Sequence, residues 1–212
     1  MKLTIRNKLI SLGAIALFSL LLMLLELIHA LGQVTKLDEI RLDVVRIEAD
    51  MLQLRRNEKD FLMRKDAKYI ERFQKNAAKT QSNISTLIEH IEEAGEDVGQ
   101  FRRVTTLMSQ YADTFNNLSS SWQTKGLDKD SGHLGRLRRA THAMEEELIK
   151  QNNLAAHVKL LTLRRHEKDF MLRDDEKYIQ RLKDTAVELR ALLSTGHELL
   201  DTYLTEFDGY AN

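Results

Sequence analysis

The sequence predicts an all-α protein in which an N-terminal transmembrane helix is followed by an antiparallel up-down helical bundle. The bundle is expected to consist of two three-helix repeats, the second of them incomplete. Three observations support this prediction. The 212 residues include no proline and only nine glycines, so helix-breaking residues are scarce. Apolar residues recur at intervals of three and four, which is typical of amphipathic helices. One stretch of sequence also occurs twice, which indicates two copies of one structural unit.

The N-terminal segment predicts a membrane anchor. Residues 9–25 carry no charge, and with the six residues that follow they approach the roughly 20 residues that cross a bilayer. The basic residues before this run are Lys2, Arg6 and Lys8, and basic flanks favour the cytoplasmic side. A cleaved signal peptide is the alternative, but Ala30 offers a poor cleavage site. The predicted organisation is a cytoplasmic N-terminus (1–8), a single span of the cell inner membrane (9–31) and an exported periplasmic region (32–212).

The internal duplication is specific. Residues 54–61 read Leu-Arg-Arg-Asn-Glu-Lys-Asp-Phe, and residues 163–170 read Leu-Arg-Arg-His-Glu-Lys-Asp-Phe, 109 positions later. Both copies continue into similar sequence, and we call these two octapeptides the repeated motif. A period of this length predicts two related structural units. We place repeat one at residues 33–126 and repeat two at residues 134–212.

The phase of the apolar positions predicts a chain reversal after each copy of the motif. From Phe61 to Ile70 is nine residues, and at about 100° per residue this spacing moves the apolar stripe to the opposite side of a straight helix. A reversal at residues 64–66 keeps both stripes facing the core, with Asp66 capping the next helix. The second copy has the same spacing, with Asp175 in the capping position.

The remaining helices follow from their apolar stripes. We expect a third helix over residues 101–122, a glycine-containing connection, and then one continuous fourth helix over residues 134–173. The fourth helix is apolar on most of its circumference near its middle, so it is expected to bridge two bundles. A fifth helix follows Asp175, and a sixth begins near Leu200. Because the sixth is shorter than its counterpart in repeat one, we expect this chain to be the first part of a longer protein.

Composition argues against several functions. The 32 basic and 32 acidic side chains cancel, so no net field attracts nucleic acid. Cysteine is absent, and no glycine-rich phosphate loop or HExxH pair occurs. His142 and Glu145 lie three residues apart, a spacing that a metal site can use, but a surface pair is the favoured interpretation. We therefore expect no enzyme, no metal and no cofactor.

The repeated motif supplies the candidate binding residues. Glu58 and Glu167 occupy apolar-stripe positions, where a lone carboxylate is costly to bury. Arg55 and Arg164 lie one turn earlier, so a structural ion pair is one interpretation of the motif. The other is that its surplus cations, with a basic cluster near the start of the fourth helix, line a cleft for a small anion, because arginine suits carboxylate recognition. The candidate ligand-binding residues are Arg55, Arg56, Arg64, Arg138, Arg164, Arg165 and Arg173.

Taken together, the N-terminal anchor, the exported helices and the twin RRxEKDF(L/M)(M/L)R sequences resemble the periplasmic sensor region of bacterial methyl-accepting chemotaxis receptors. The connection at residues 126–138 is similar to a segment of the same receptors. The helical bimodular type, with two stacked four-helix bundles sharing long helices, is the nearest subtype. The resemblance implies a homodimer that binds a small metabolite, such as an organic acid, and signals chemotaxis by a small helix displacement.

Two other functions are compatible with the same pattern. The chain is then either the sensor half of a membrane histidine kinase or a structural helical protein that pairs with a full-length receptor. Both alternatives retain the helical fold and the membrane anchor. They differ from a chemotaxis receptor in the activity that the sensor region controls.

Overall fold

The computed structural model describes residues 5–211, apart from the side chains of residues 8 and 10, and within this range the chain contains helices and no strands. The prediction of an all-α protein is thereby confirmed. Residues 1–4 of the predicted cytoplasmic segment, including Lys2, lie outside the described range. The helices are α1 (Ile5–Arg64), α2 (Ala67–Glu93), α3 (Gly99–Lys125), α4 (Gly132–Lys150), α5 (Leu154–Arg173), α6 (Lys177–Leu192) and α7 (His197–Ala211).

Helix α1 carries both the apolar N-terminal segment and the first copy of the motif. It is 60 residues long, about 90 Å at 1.5 Å per residue. Among residues 5–211 it is the one helix whose length and apolar composition suffice to cross a membrane. The side chains described in its N-terminal half are exposed. No break separates the apolar segment from the motif.

The predicted chain reversals follow both copies of the motif. α1 ends at Arg64 and α2 begins at Ala67. Between them Lys65 adopts φ of 51°, and its N–H donates to the carbonyl of Phe61 at 2.7 Å. After α5, Asp174 likewise adopts φ of 52°. These left-handed residues end the helices by the same means.

Asp175 was expected to cap the next helix; the N-cap residue of α6 is instead Glu176, whose side chain makes no capping hydrogen bond, and Asp175 contributes from the preceding position. Its Oδ1 accepts a hydrogen bond from the backbone N–H of Lys177, the first residue of α6, at 3.0 Å. The carboxylate therefore satisfies one of the backbone donors that a helix start leaves free.

The chain divides into two compact units. Unit 1 is the described part of Met1–Asp60 with Lys68–Thr114, and unit 2 is Phe61–Ala67 with the described part of Phe115–Asn212. Within unit 1, α1 and α2 are antiparallel and are joined by Asp50, whose carboxylate accepts hydrogen bonds from the side chains of Lys79 at 2.8 Å and Asn83 at 2.6 Å. Near the C-terminal end of α2, the carboxylate of Asp43 on α1 pairs with the His90 ring at 2.7 Å.

Unit 2 contains an antiparallel four-helix bundle formed by α4, α5, α6 and α7. Hydrogen bonds between side chains connect α4 to α5 through Glu145 and Arg164 and α4 to α7 through His133 and Glu206. The core is filled mainly by leucine and aromatic side chains. Its fully buried members include Leu137, Leu160, Leu163, Leu182, Leu189, Leu200, Tyr203 and Phe207.

The prediction of one continuous helix over residues 134–173 is wrong. The chain turns back at residues 151–153, so that α4 and α5 form a hairpin. Asn152 takes a left-handed conformation with φ of 54°, which asparagine tolerates better than most residues. Asn153 then caps α5, since its side-chain oxygen accepts from the N–H of Ala156 at 3.1 Å. Residues 134–212 therefore hold four helices and not the three predicted for repeat two.

Replacing the cap of α5 tests this turn. Asn153→Ala removes the bond to Ala156 and a second bond, from the Asn153 amide to the carbonyl of Leu192 at 2.9 Å. We expect the free energy of unfolding to fall by about 1–2 kcal/mol, measured by denaturation followed by circular dichroism. Asn117→Ala, at an exposed position within α3, is the matched control and should be neutral or slightly stabilising. Equal effects of the two substitutions would contradict the capping role.

Candidate functional site

Two of the seven arginines predicted to bind an anion, Arg138 and Arg164, meet between α4 and α5. A cleft of about 310 Å³ lies there within unit 2, and we call it the α4–α5 cleft. Two of its lining residues, Arg138 and Arg164, were predicted from separate segments of the sequence. The full lining consists of Lys129, Leu134, Leu137, Arg138, Thr141, His142, Arg164, Glu167 and Lys168. The hairpin turn at residues 151–153, which the sequence did not predict, brings these residues together.

Arg164 connects the two walls of the cleft. Its guanidinium donates to Oε1 of Glu145 on α4 at 2.5 Å, while the Arg164 side chain remains 32% exposed. The other carboxylate oxygen of Glu145 lies 3.2 Å from the His142 ring, which is the surface pair expected from their spacing. The arginine is thus held in place by a carboxylate outside the cleft lining and keeps part of its surface open.

Glu167 lies at the base of this arrangement and is 3% exposed. Its Oε2 accepts a hydrogen bond from the Tyr203 hydroxyl on α7 at 2.8 Å, and its Oε1 pairs with the Lys168 ammonium at 2.6 Å. The predicted arginine partner is therefore replaced by a tyrosine and a lysine. Burial, followed by the negative charge of Glu167, raises the pKa of Tyr203 well above its usual value, so the phenol remains a hydrogen-bond donor.

The first copy of the motif uses the same chemistry in unit 1. The Tyr111 hydroxyl on α3 donates to Oε2 of Glu58 at 2.6 Å. Burial and then this hydrogen bond raise the pKa of Tyr111. Unlike Glu167, Glu58 is only half-buried. Both tyrosines lie at apolar-stripe positions, and each precedes a phenylalanine by four positions on the helix that faces the motif.

The other predicted arginines lie elsewhere. In unit 1, Arg55 and Arg56 line an open surface groove with Leu52, Lys59 and Asp60. In unit 2, the Arg173 side chain lies 3.5 Å from Asp169, one turn away on the same helix. Arg64 and Arg165 are exposed and do not belong to the lining of the α4–α5 cleft.

A buried polar position in the motif was also missed. Asn57 and His166 occupy the same place in the two copies and are 2% and 9% exposed. Among the described residues, the Asn57 amide nitrogen and the Nδ1 atom of His166 are buried without a hydrogen-bond partner. Burial, reinforced by the nearby charges of Arg165 and Arg181, lowers the pKa of His166. The sequence does mark this position, because it is the one position of the motif at which the two copies differ, asparagine in the first and histidine in the second.

Removing the two tyrosine hydroxyls separately tests the carboxylate pairs. Tyr203→Phe leaves the buried Glu167 without its neutral donor and should lower the free energy of unfolding by about 2 kcal/mol. Tyr111→Phe is the matched variant and should cost less, about 1 kcal/mol or below, because water reaches the half-buried Glu58. Chemical denaturation of both variants measures the difference. A larger loss for Tyr111→Phe would contradict the burial argument.

The lowered pKa of His166 makes stability depend on pH. The unfolded state takes up a proton at this residue near pH 6.5, whereas the folded state takes it up only at lower pH, so stability is lost as the pH falls through 6.5. His166→Asn, which installs the residue of the first copy, removes this contribution. The variant should therefore lose less stability than the parent between about pH 7.5 and pH 5.5 in urea denaturation. Identical pH profiles would contradict the prediction.

Comparisons with known proteins provide no assignment for this chain. The sequence matches no described protein family and no curated protein, and the fold matches no solved structure. The α4–α5 cleft, the apolar segment of α1 and the repeated motif are therefore the features from which a function can be inferred.

Proposed function

We propose that this chain is the ligand-sensing region of a membrane-anchored chemotaxis receptor and that its α4–α5 cleft binds a small carboxylate. The observation that carries the proposal is the convergence of Lys129, Arg138, Arg164 and Lys168 on one cleft whose lining contains a single carboxylate. That carboxylate, Glu167, is already engaged by Tyr203 and Lys168. Glu145 and Asp130, which lie outside the lining, pair with Arg164 and Lys129. The four cations of the lining therefore still exceed the three carboxylates, Glu167, Glu145 and Asp130, by one.

The chemistry of the cleft favours an organic acid of low mass. Its volume of about 310 Å³ lies at the lower end of the range for small-molecule sites. Arg138 is exposed and Arg164 is partly so, and a guanidinium recognises a carboxylate through two parallel hydrogen bonds. The buried Thr141 hydroxyl already donates to the carbonyl of Leu137 at 2.9 Å, so the cations supply the donors. Leu134 and Leu137 provide an apolar wall for a short carbon chain.

The anchor is the apolar N-terminal part of α1. We propose that it crosses the inner membrane once, with the N-terminus in the cytoplasm and residues 32–212 in the periplasm. α1 continues without interruption from this segment to the first copy of the motif. A continuous helix transmits a displacement along its axis, and shifts of about 1–2 Å are typical of packed helices in signalling proteins.

We also propose that two copies pair through α1. Val34, Val45 and Leu52 are each more than half exposed, and their spacing of eleven and seven residues places them on one side of the helix. A second copy of α1 packed along this side removes these side chains from water. The exposed apolar surface continues towards the apolar segment of the same helix.

The two copies of the motif support the proposal of a duplicated architecture. Each copy of the motif places a glutamate against a tyrosine hydroxyl, as described above. Each also places its final phenylalanine edge-on against another ring: Phe61 against Phe115 and Phe170 against Phe207, both with centroids 5.6 Å apart. In both cases the second phenylalanine lies four residues after the tyrosine that binds the motif glutamate. We therefore treat α1, α2 and α3 as equivalents of α5, α6 and α7.

Ligand binding is tested by calorimetric titration of the full chain in detergent with a panel of short-chain mono-, di- and tricarboxylates. Arg138→Ala removes an exposed cation without disturbing the core and should weaken binding of any active carboxylate about tenfold or more, the loss expected for a charged hydrogen bond. Arg173→Ala is the matched control, since this arginine lies in the second motif region but outside the cleft. It should leave the affinity unchanged.

Two results would contradict the proposed function. One is the absence of saturable binding for the entire panel, and the other is an equal loss of affinity in Arg138→Ala and Arg173→Ala. Circular dichroism of each variant separates loss of binding from loss of folding.

A further inference from the structure

Unit 1 leaves apolar side chains accessible to solvent on one side of α1 and of α3. On α1, Val44, Met51 and Arg55 follow one another at steps of seven and four residues and therefore share one side of the helix. On α3, Val104 and Leu107 are three residues apart and are neighbours on the helix surface. Val44, Val104 and Leu107 are 37%, 42% and 54% exposed, which is unusual for apolar residues beside a helix interface. We call this surface the α1–α3 groove, and all of its residues belong to unit 1.

The equivalent surface of unit 2 is covered by α4. Met51 corresponds to Leu160 through the 109-residue period; Met51 is half-buried, whereas Leu160 is fully buried. The same contrast separates half-buried Tyr111 from Tyr203, which is 0% exposed. α4 packs against α7 and α5, the equivalents of α3 and α1. The residues of the groove are thus more exposed because no helix in the described part of unit 1 occupies the position of α4.

We infer that the α1–α3 groove is a docking site for an amphipathic helix of a partner polypeptide, with the sequence pattern of α4. The pattern is defined by the side of α4 that packs into unit 2. Its buried side chains are Leu137, Ala140, Thr141, Met144 and Leu148. Beside them Glu145 accepts from Arg164, so the partner helix carries an acidic residue at this position.

Charge complementarity supports this occupant. Arg55 is the first-copy counterpart of Arg164, and in unit 1 it lines a surface together with Arg56 and Lys59. A carboxylate in the position of Glu145 meets Arg55 at the edge of the groove. A partner helix with a basic residue in the position of Glu145 is repelled by the positive charge of Arg55. The apolar side of the partner covers Leu107 and Val104, and its acidic edge selects the register.

This site is separate from the proposed ligand cleft, and it adjoins the proposed pairing surface at Arg55, which lines one surface together with Leu52. It depends on the equivalence of the two units and requires no carboxylate ligand. Val34, Val45 and Leu52 lie on a different side of α1 from Val44 and Met51, since a step of one residue turns the helix by about 100°. Failure of carboxylate binding therefore leaves the docking inference standing, and the reverse also holds.

The test uses the full chain in detergent and a fluorescein-labelled peptide with the sequence of α4, residues 132–150, whose binding is followed by fluorescence anisotropy. We expect saturable binding. Leu107→Glu, at the centre of the groove, should weaken it at least about tenfold. Val187→Glu on α6, where the parent side chain is 70% exposed, is the matched control and should have no effect.

A charge exchange identifies the register. The peptide with Glu145→Lys should bind the parent chain more weakly and should regain affinity for the Arg55→Glu chain. Arg138→Ala, the ligand-cleft variant, should bind the unmodified peptide as the parent does. The inference is overturned if the peptide shows no saturable binding, if Leu107→Glu binds it normally, or if the charge exchange restores nothing. It is also overturned if Leu107→Glu dissociates a dimer in analytical ultracentrifugation, because a second copy then occupies the groove.

Discussion

A glutamate placed inside an apolar stripe is the constraint on which the rest of this structure depends. Removing a carboxylate from water is costly unless its oxygens are hydrogen-bonded. Glu58 and Glu167 meet this requirement through a tyrosine on the facing helix, at 2.6 and 2.8 Å. Each pair fixes the register of two parallel helices, and the aromatic contact one turn further along holds the same helices in place.

The same constraint determines where positive charge is available. Since the Tyr203 hydroxyl satisfies one oxygen of Glu167 and Lys168 the other, Arg164 extends across to Glu145 on α4. The guanidinium then lies at the wall of the α4–α5 cleft with Arg138 nearby. In unit 1, whose described residues include no helix equivalent to α4, Arg55 lines an open surface. The arginine of the second copy thus lines the α4–α5 cleft, whereas the equivalent arginine of the first copy lines an open surface. The difference between them is the presence of α4.

The sequence predicted the fold correctly where the repeated motif and the apolar periodicity extend over many residues. The two copies of the motif, and the nine-residue step from Phe61 to Ile70, were enough to locate both chain reversals. The hairpin between α4 and α5 was missed because Asn152 and Asn153 form it without glycine or proline. For the site, Arg138 and Arg164 were identified as residue types, but their proximity depends on that hairpin. The tyrosine partners were missed because a phenol at an apolar-stripe position resembles any core aromatic residue.

The most direct test of the ligand site is to observe the arginine side chains themselves. Nitrogen-15 NMR of the guanidinium groups, recorded while a short-chain dicarboxylate is added to the full chain in detergent, reports which arginines contact it. The account predicts saturable shifts of the Arg138 and Arg164 Nε–H signals, with those of Arg56 and Arg173 unchanged. Small, unsaturable shifts of equal size at all four arginines would contradict it.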